Sequence, residues 1–195
     1  MELQIDLMEL LASRRTYRRF QQDKKIPEAV LADILTAQRL ASSACNQQRL
    51  RYLVIKTPEL VEQVFPLTKW AALLPPEQGT PKEGEHPVMY ILVLYRRSQK
   101  NKWLDTDAGL AIGNMTLAAW NHGVGSCIMD NIDRPGLTQL LKLDEDVEIH
   151  SAIAFGYPQH QSQVVEAKED LRYYLDANRD YCVPKLAVSE VAEIF

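Results

Sequence analysis

The chain has 195 residues, of which 46% are hydrophobic and 25% charged, and its formal net charge is −4. That balance belongs to a globular protein with its own core, and it excludes a general binder of nucleic acid or membrane surface, which carries a basic domain. No apolar run approaches the ~18 residues that span a bilayer. Residues 1–12 carry Glu2, Asp6 and Glu9 without a basic leader, unlike a signal peptide. Cys45, Cys127 and Cys182 are odd in number and far apart, which suits reduced thiols in a cytoplasm. His86, His122, His150 and His160 show no metal-ligand spacing, so no metal site is expected.

In chain order, Leu3, Leu7, Leu10 and Leu11 share one face of a helix over 3–12. SRRTYRRFQQDKK (13–25) breaks that pattern and reads as a loop or short extended piece. Pro27 starts a second helix whose apolar side is Val30, Leu31, Ile34, Leu35 and Ala41. ASSACNQQR is small and polar, a loop, and RYLVIK (51–56) is a strand. Thr57-Pro58 begins a short helix ending near Phe65. PPEQGTPKEGEHP (75–87) holds four prolines and two glycines and is the candidate for a mobile surface lid.

VMYILVLY (88–95) is apolar almost throughout, as in a strand covered on both faces. Asp105 to His122 carries the longest helical pattern, with Ala108, Ala111, Ile112, Met115, Ala118 and Ala119 in phase. Gly109 and Gly113 form a separate stripe, compatible with close packing inside the chain or against another subunit. A short helix (135–141) and the strand EIHSAIAFGYP follow, and 159–195 reads as an arm rather than core. GVGS (123–126) follows a helix rather than a strand, so it fails as a dinucleotide fingerprint. The class is α+β, a mostly antiparallel or mixed sheet with helices on it.

Two segments carry candidate chemistry. Arg14, Arg15, Arg18 and Arg19 crowd into six positions of an acidic chain. Such a cluster is compatible with a solvated turn, a protein or nucleic-acid contact, or an anionic ligand whose phosphate oxygens match guanidinium forks. Ser43, Asn46, Gln47 and Gln48 both donate and accept, which suits the edge of a polar ring. Together they describe a mononucleotide-like ligand, or two unrelated surface loops.

SRRTYRRF (13–20), SSACNQQ (42–48), DAGLAIGNMTLAAWNHGVGSCIM (107–129) and AFGYP (154–158), in that order, resemble the nitroreductase family of FMN-dependent oxidoreductases, in its smaller members. YCVPKLAVSEV (181–191) also resembles the end of such proteins. The resemblance implies an α+β nitroreductase-like fold, a central mixed or antiparallel sheet flanked by helices in an intertwined homodimer. It implies that Arg14, Arg15 and Thr16 line the FMN phosphate and flavin, with Arg18 reaching the ribityl or pyrimidine side. Arg19 has no dependable counterpart and is expected in solvent. Ser43, Ala44, Asn46 and Gln48 match a segment that contacts the flavin from the neighbouring subunit. The chain departs from the pattern at Ser42, where proline is common, and at Arg49-Leu50, which replace Pro-Trp.

By the same resemblance, the backbone of Ile128, Met129, Asp130 and Asn131 faces flavin N5 and O4. Many relatives have glycine in place of Asp130, so its carboxylate is expected either to point away or to lower the reduction potential. Lys168 is the match for a basic residue of the phosphate site, with Lys185 as the alternative. The helix 105–122 corresponds to a central dimer helix, and the arm 159–195 to one exchanged between subunits within a single domain, 1–195. The implied activity is hydride transfer from NADH or NADPH to FMN, then reduction of a nitroaromatic, quinone or flavin. Trp70, Trp103 and the 66–87 loop are candidates for lining the acceptor pocket, and Cys45 and Cys127 for small buried residues near it. Two other classes stay open: a flavin-binding protein serving a protein partner, and a flavin-free module that binds acidic protein or RNA.

Overall fold

The computed structural model describes residues 6–168 and 170–195. Helix α1 (Leu7–Ser13) is capped by Asp6, whose carboxylate accepts the Met8 amide at 2.9 Å; Leu3 lies outside the described residues. Behind Pro27, α2 (Glu28–Arg39) buries Val30, Leu31 and Ile34. Strand β1 (Arg51–Ile55) follows, then α3 (Pro58–Val64), which buries Val61 and Val64, and the single turn α4 (Pro76–Gly79). Next come β2 (Met89–Arg96), the long α5 (Leu104–Asn121), β3 (Gly125–Met129), α6 (Arg134–Leu141) and β4 (Val147–Gly156).

The four strands form one sheet in the order β1-β2-β4-β3, antiparallel at every pairing. Period-two alternation splits the apolar β2 between two layers. Met89, Ile91, Val93 and Tyr95 meet α2 and α5 on one face. Tyr90, Leu92 and Leu94 meet Val61 and Val64 of α3 and Leu137 of α6 on the other. A β-bulge shifts the β2·β4 register so that Val93 opposes Ser151 and Leu94 opposes Ile149, leaving His150 as the extra residue. Arg134 serves the two carbonyls exposed there, donating from Nε to Ile149 O at 2.9 Å and from Nη2 to His150 O at 2.7 Å.

The basic turn is laid on this sheet rather than left in solvent. A Cβ at Gly125 would stand 2.8 Å from Tyr17 Cβ, and one at Gly156 2.8 Å from Phe20 Cβ. Gly125 and Gly156 oppose each other across β3 and β4, so the sheet offers a smooth step where the turn crosses.

Several expectations are corrected. The 75–87 segment is tied down: Gln22 Oε1 accepts the amides of Gly84 and His86 at 2.8 and 3.1 Å, and Glu85 O accepts the Phe20 amide at 2.9 Å. Trp70 is a core residue packed on Phe20 and Phe65. Arg19 is only 6% exposed, and its Nη2 donates to Arg179 O at 2.6 Å. Cys45 is exposed, whereas Cys127 is buried. Among the described residues, nothing beyond the adjacent backbone of α5 lies within 4 Å of a Cβ built at Gly109 or Gly113, so close packing against another element of these residues does not explain them.

The chain continues into a second, three-stranded sheet of β5 (Ser162–Glu166), β6 (Tyr174–Leu175) and β7 (Tyr181–Lys185), ordered β5-β7-β6. It buries Tyr181 and Cys182 and grips the basic turn, with the Arg18 guanidinium 4.5 Å from the Tyr173 ring centre and 4.8 Å from that of Tyr181. A last turn, α7 (Val188–Val191), buries no residue. Among the described residues, no helix is long and apolar enough to cross a membrane, and no His/Cys/Asp/Glu group is placed to hold a metal.

Candidate functional site

Strand β3 is the edge of the main sheet, and its outer rim is only partly paired. Thr16 bridges Ser126, and the Tyr17 amide donates to Ser126 O at 2.9 Å. Farther along, Thr68 bridges Ile132, and the Lys69 amide donates to Asn131 O at 3.0 Å. Since Ser126 turns its main chain outward, antiparallel geometry turns Ile128 outward too. Among the described residues, no bridge covers Ile128. A gap in the rim therefore presents its backbone beside the arginine turn, with the Ile128 side chain exposed.

At the near end of this gap, Arg15 caps α1, donating from Nη2 to Leu11 O at 3.2 Å and to Ala12 O, while its buried Nε has no partner. Burial and the charge of Arg14 lower the Arg15 pKa. Arg14 makes no side-chain ion pair among the described residues. Arg18 Nε is also buried and unpartnered. The turn thus carries two guanidinium groups with unused donors, and such groups match an anion. Trp120 of α5 stacks on Tyr17 at 4.9 Å and donates to Ser13 Oγ at 2.9 Å, anchoring the turn to the C-terminal end of α5. A cleft of about 500 Å³ runs alongside, lined by Ser13, Tyr17, Trp120, His160 and Ser162.

At the far end of the gap, Asp130 faces solvent, its side chain 88% exposed and ion-paired with Arg134. Arg134 Nη1 also donates to Asp130 O at 3.0 Å. Both line a cleft of about 900 Å³ with Tyr95, Arg97, Asp105 and His150. Asn131 is exposed and Met129 is buried.

The amide-rich loop has an unusual backbone. Cys45, Asn46 and Gln48 take φ of 52°, 51° and 47°, left-handed values that side chains other than glycine rarely adopt. Ser43 Oγ accepts the Gln48 amide at 3.2 Å, and Gln48 Nε2 reaches Asn46 Oδ1 at 3.2 Å. Asp107, in the first turn of α5, accepts the Ala44 amide at 2.8 Å and pairs with Arg49 at 3.3 Å. Ser43, Gln48, Arg49 and Asp107 line a cavity of about 360 Å³.

The fold thus joins Arg14, Arg15, Thr16 and Arg18 to the Ile128–Asn131 rim, but not to Ser43, Ala44, Asn46 and Gln48. The turn is tied to Trp120 and the loop to Asp107, roughly 20 Å apart at 1.5 Å per helical residue. Lys168, two residues past the end of β5, lines a cleft with Leu73, Arg172 and Tyr173, the last being the ring that the Arg18 guanidinium covers.

The sequence profile of the Nitroreductase family matches residues 11–157, most of the chain. The chain belongs to the nitroreductase family. A Methanothermobacter thermautotrophicus relative named "Putative NADH dehydrogenase/NAD(P)H nitroreductase" is 25% identical over 162 residues, covering 79% of this chain and 78% of its own. A nitroreductase structure from Desulfovibrio desulfuricans, in complex with FMN, superposes with a TM-score of 0.66 at 24% identity over 86% of this chain and 94% of that one. An FMN-dependent nitroreductase from Clostridium difficile gives 0.65 at 20% identity, over 84% and 92%. The solved structures establish the nitroreductase fold.

Within this nitroreductase-family chain, sequence reasoning missed four residues that shape the site. Asp107 and Arg134 look like solvated charges until the fold brings Ala44, Arg49, Ile149 and His150 to them. Gly125 and Gly156 carried a signal, glycine inside a strand, which often marks a close backbone approach.

Proposed function

We propose that this nitroreductase-family protein is an FMN-dependent oxidoreductase, using NADH or NADPH and a small organic acceptor (nitroaromatic, quinone or flavin) in a ping-pong cycle. The observation that carries this reading is the Ile128 backbone, whose outer side no bridge covers among the described residues, next to guanidinium groups with unused donors. The residues fit the cofactor: buried cationic donors suit its phosphate, and an outward main-chain N–H suits the polar edge of its ring. When bound, FMN would supply the redox chemistry between the nicotinamide donor and the acceptor, and this chain's residues would hold it.

The protein's part is position and electrostatics. Arg14, Arg15 and Thr16 hold the phosphate, and Arg18, fixed by Tyr173 and Tyr181, offers Nε toward the ribityl or pyrimidine side. The Ile128–Asn131 backbone provides preorganised donors where negative charge develops. Arg134 offsets the Asp130 carboxylate beside it. Burial raises the Cys127 thiol pKa, so this cysteine stays protonated and serves packing.

We further infer a homodimer. A two-fold crossing midway along α5, at Gly109 and Gly113, brings one chain's arginine turn to the partner's amide loop, with Ser43, Ala44, Asn46 and Gln48 completing the site. Exposed Leu7, Met8 and Leu110, together with Val188, Val191, Ile194 and Phe195 at the tail, are apolar surface for such a partner. The exchanged part of the arm is best sought beyond Lys185, and Lys168 or Lys185 is the candidate to complete the phosphate site. Three free cysteines favour a reducing cytoplasm.

Purified protein tests the reading. A flavin absorbance band that bleaches with NADH or NADPH and returns with a quinone or nitroaromatic supports the enzyme. A band that does not bleach points to a flavin-binding protein with a protein partner. Colourless protein that takes up no added FMN rejects the flavin altogether.

A further inference from the structure

We propose that Asp107 is a positioning residue for the cofactor loop and acts as one unit with Arg49. The inference rests on the FMN reading above, because the loop matters to function only if it touches the flavin. Two overlapping ties hold the left-handed stretch. One is the Gln48 amide on Ser43 Oγ. The other runs from the Ala44 amide through both oxygens of Asp107 to the Arg49 guanidinium. Their spans take in three non-glycine residues at positive φ, a shape that persists only where its surroundings impose it.

Asp107 is 3% exposed and the Arg49 side chain 13%. A carboxylate so buried requires its partners, and each partner in turn depends on it. Arg49 directly follows the left-handed stretch, and its pairing with Asp107 fixes the chain at that point. The charge on α5 thereby sets where Ser43, Asn46 and Gln48 present their groups.

The test is FMN titration by flavin fluorescence, with hydrogen exchange over residues 43–48 of the FMN-free protein and its thermal midpoint. The key variant is Arg49→Leu/Asp107→Leu, since exchanging a buried ion pair for apolar residues is often neutral for stability. We expect a near-parental midpoint, faster exchange at 43–48 and a Kd for FMN raised about tenfold. Arg49→Leu/Asp107→Asn, which keeps an acceptor for Ala44, should bind FMN more tightly than the Leu/Leu variant. Parental exchange and Kd in the Leu/Leu variant overturn the proposal. Should that variant fail to fold, Arg49→Leu decides alone: faster exchange with weaker FMN supports the unit, and parental values in both reject it. A parent chain that takes up no FMN removes the functional reading and this inference together; parental uptake with unaffected variants removes only this one.

Discussion

His160 is 8% exposed, and among the described residues neither ring nitrogen makes a hydrogen bond of full geometry, although the Arg19 backbone close by favours the charged form a little. It sits between Tyr17 and Tyr181 with Arg18, Arg19 and Arg179 nearby. Burial first, then the Arg19 charge, lowers its pKa from 6.5 to about 3. The folded chain therefore keeps this imidazole neutral at a pH where the unfolded chain protonates it. Stability is full above pH 6.5 and is lost as pH falls toward 3, by up to about 1.4 kcal/mol per unit. Urea unfolding at pH 7 and pH 5 should show this loss, and His160→Gln should flatten it; an equal slope in the variant would reject the assignment. Asp130 makes the opposite case, since its charge is exposed and already paired. In FMN-loaded protein, Asp130→Gly should move the midpoint potential by less than about 30 mV. A larger shift by redox titration would mean that the carboxylate acts on the flavin despite Arg134.

The elements show which physics a sequence carries openly. The unbroken apolar run of β2 and the 3.6-residue phase of α5 are local signals, and both elements form where those signals place them. The order of the sheet is not a local signal, because residues 56–88 separate β1 from β2 and residues 97–124 separate β2 from β3. What stayed hidden depends on partners far along the chain. Arg19 reads as solvated because arginine usually is, and its burial requires a carbonyl 160 positions later. The 75–87 segment reads as a lid because prolines and glycines mark turns, yet its anchors lie on Gln22 and Phe20. Gly156 is where element packing is most exposed to test. An added Cβ meets Phe20 on a turn that cannot shift without lifting Tyr17 as well. Gly156→Ala should cost about 1–3 kcal/mol in denaturant unfolding. A parental midpoint would show that the turn yields freely, and it would then be a poor platform for a phosphate.

For the whole molecule, the decisive feature is distance. One chain places its arginine turn and its amide loop at opposite ends of α5, beyond the span of one mononucleotide ligand. If both segments serve one flavin, as proposed, a single subunit holds two half-sites rather than one site. Mid-helix, Gly109 and Gly113 leave the surface low and uncovered, and Leu110 beside them is exposed. Two copies of α5 crossing there would bring unlike halves together twice, giving two complete sites from one contact. Gly113→Leu tests the geometry with little disturbance of the chain's own packing, because, among the described residues, nothing beyond the adjacent backbone of α5 lies within 4 Å of the new Cβ. The variant should keep its far-UV circular dichroism, run as a monomer by light scattering, and bind FMN at least about tenfold more weakly. Loss of dimer and flavin in the same variant would show that cofactor and partner are held by one contact. A dimeric variant with parental FMN affinity would place the subunit contact elsewhere on the molecule, and the half-sites would then need another route to meet.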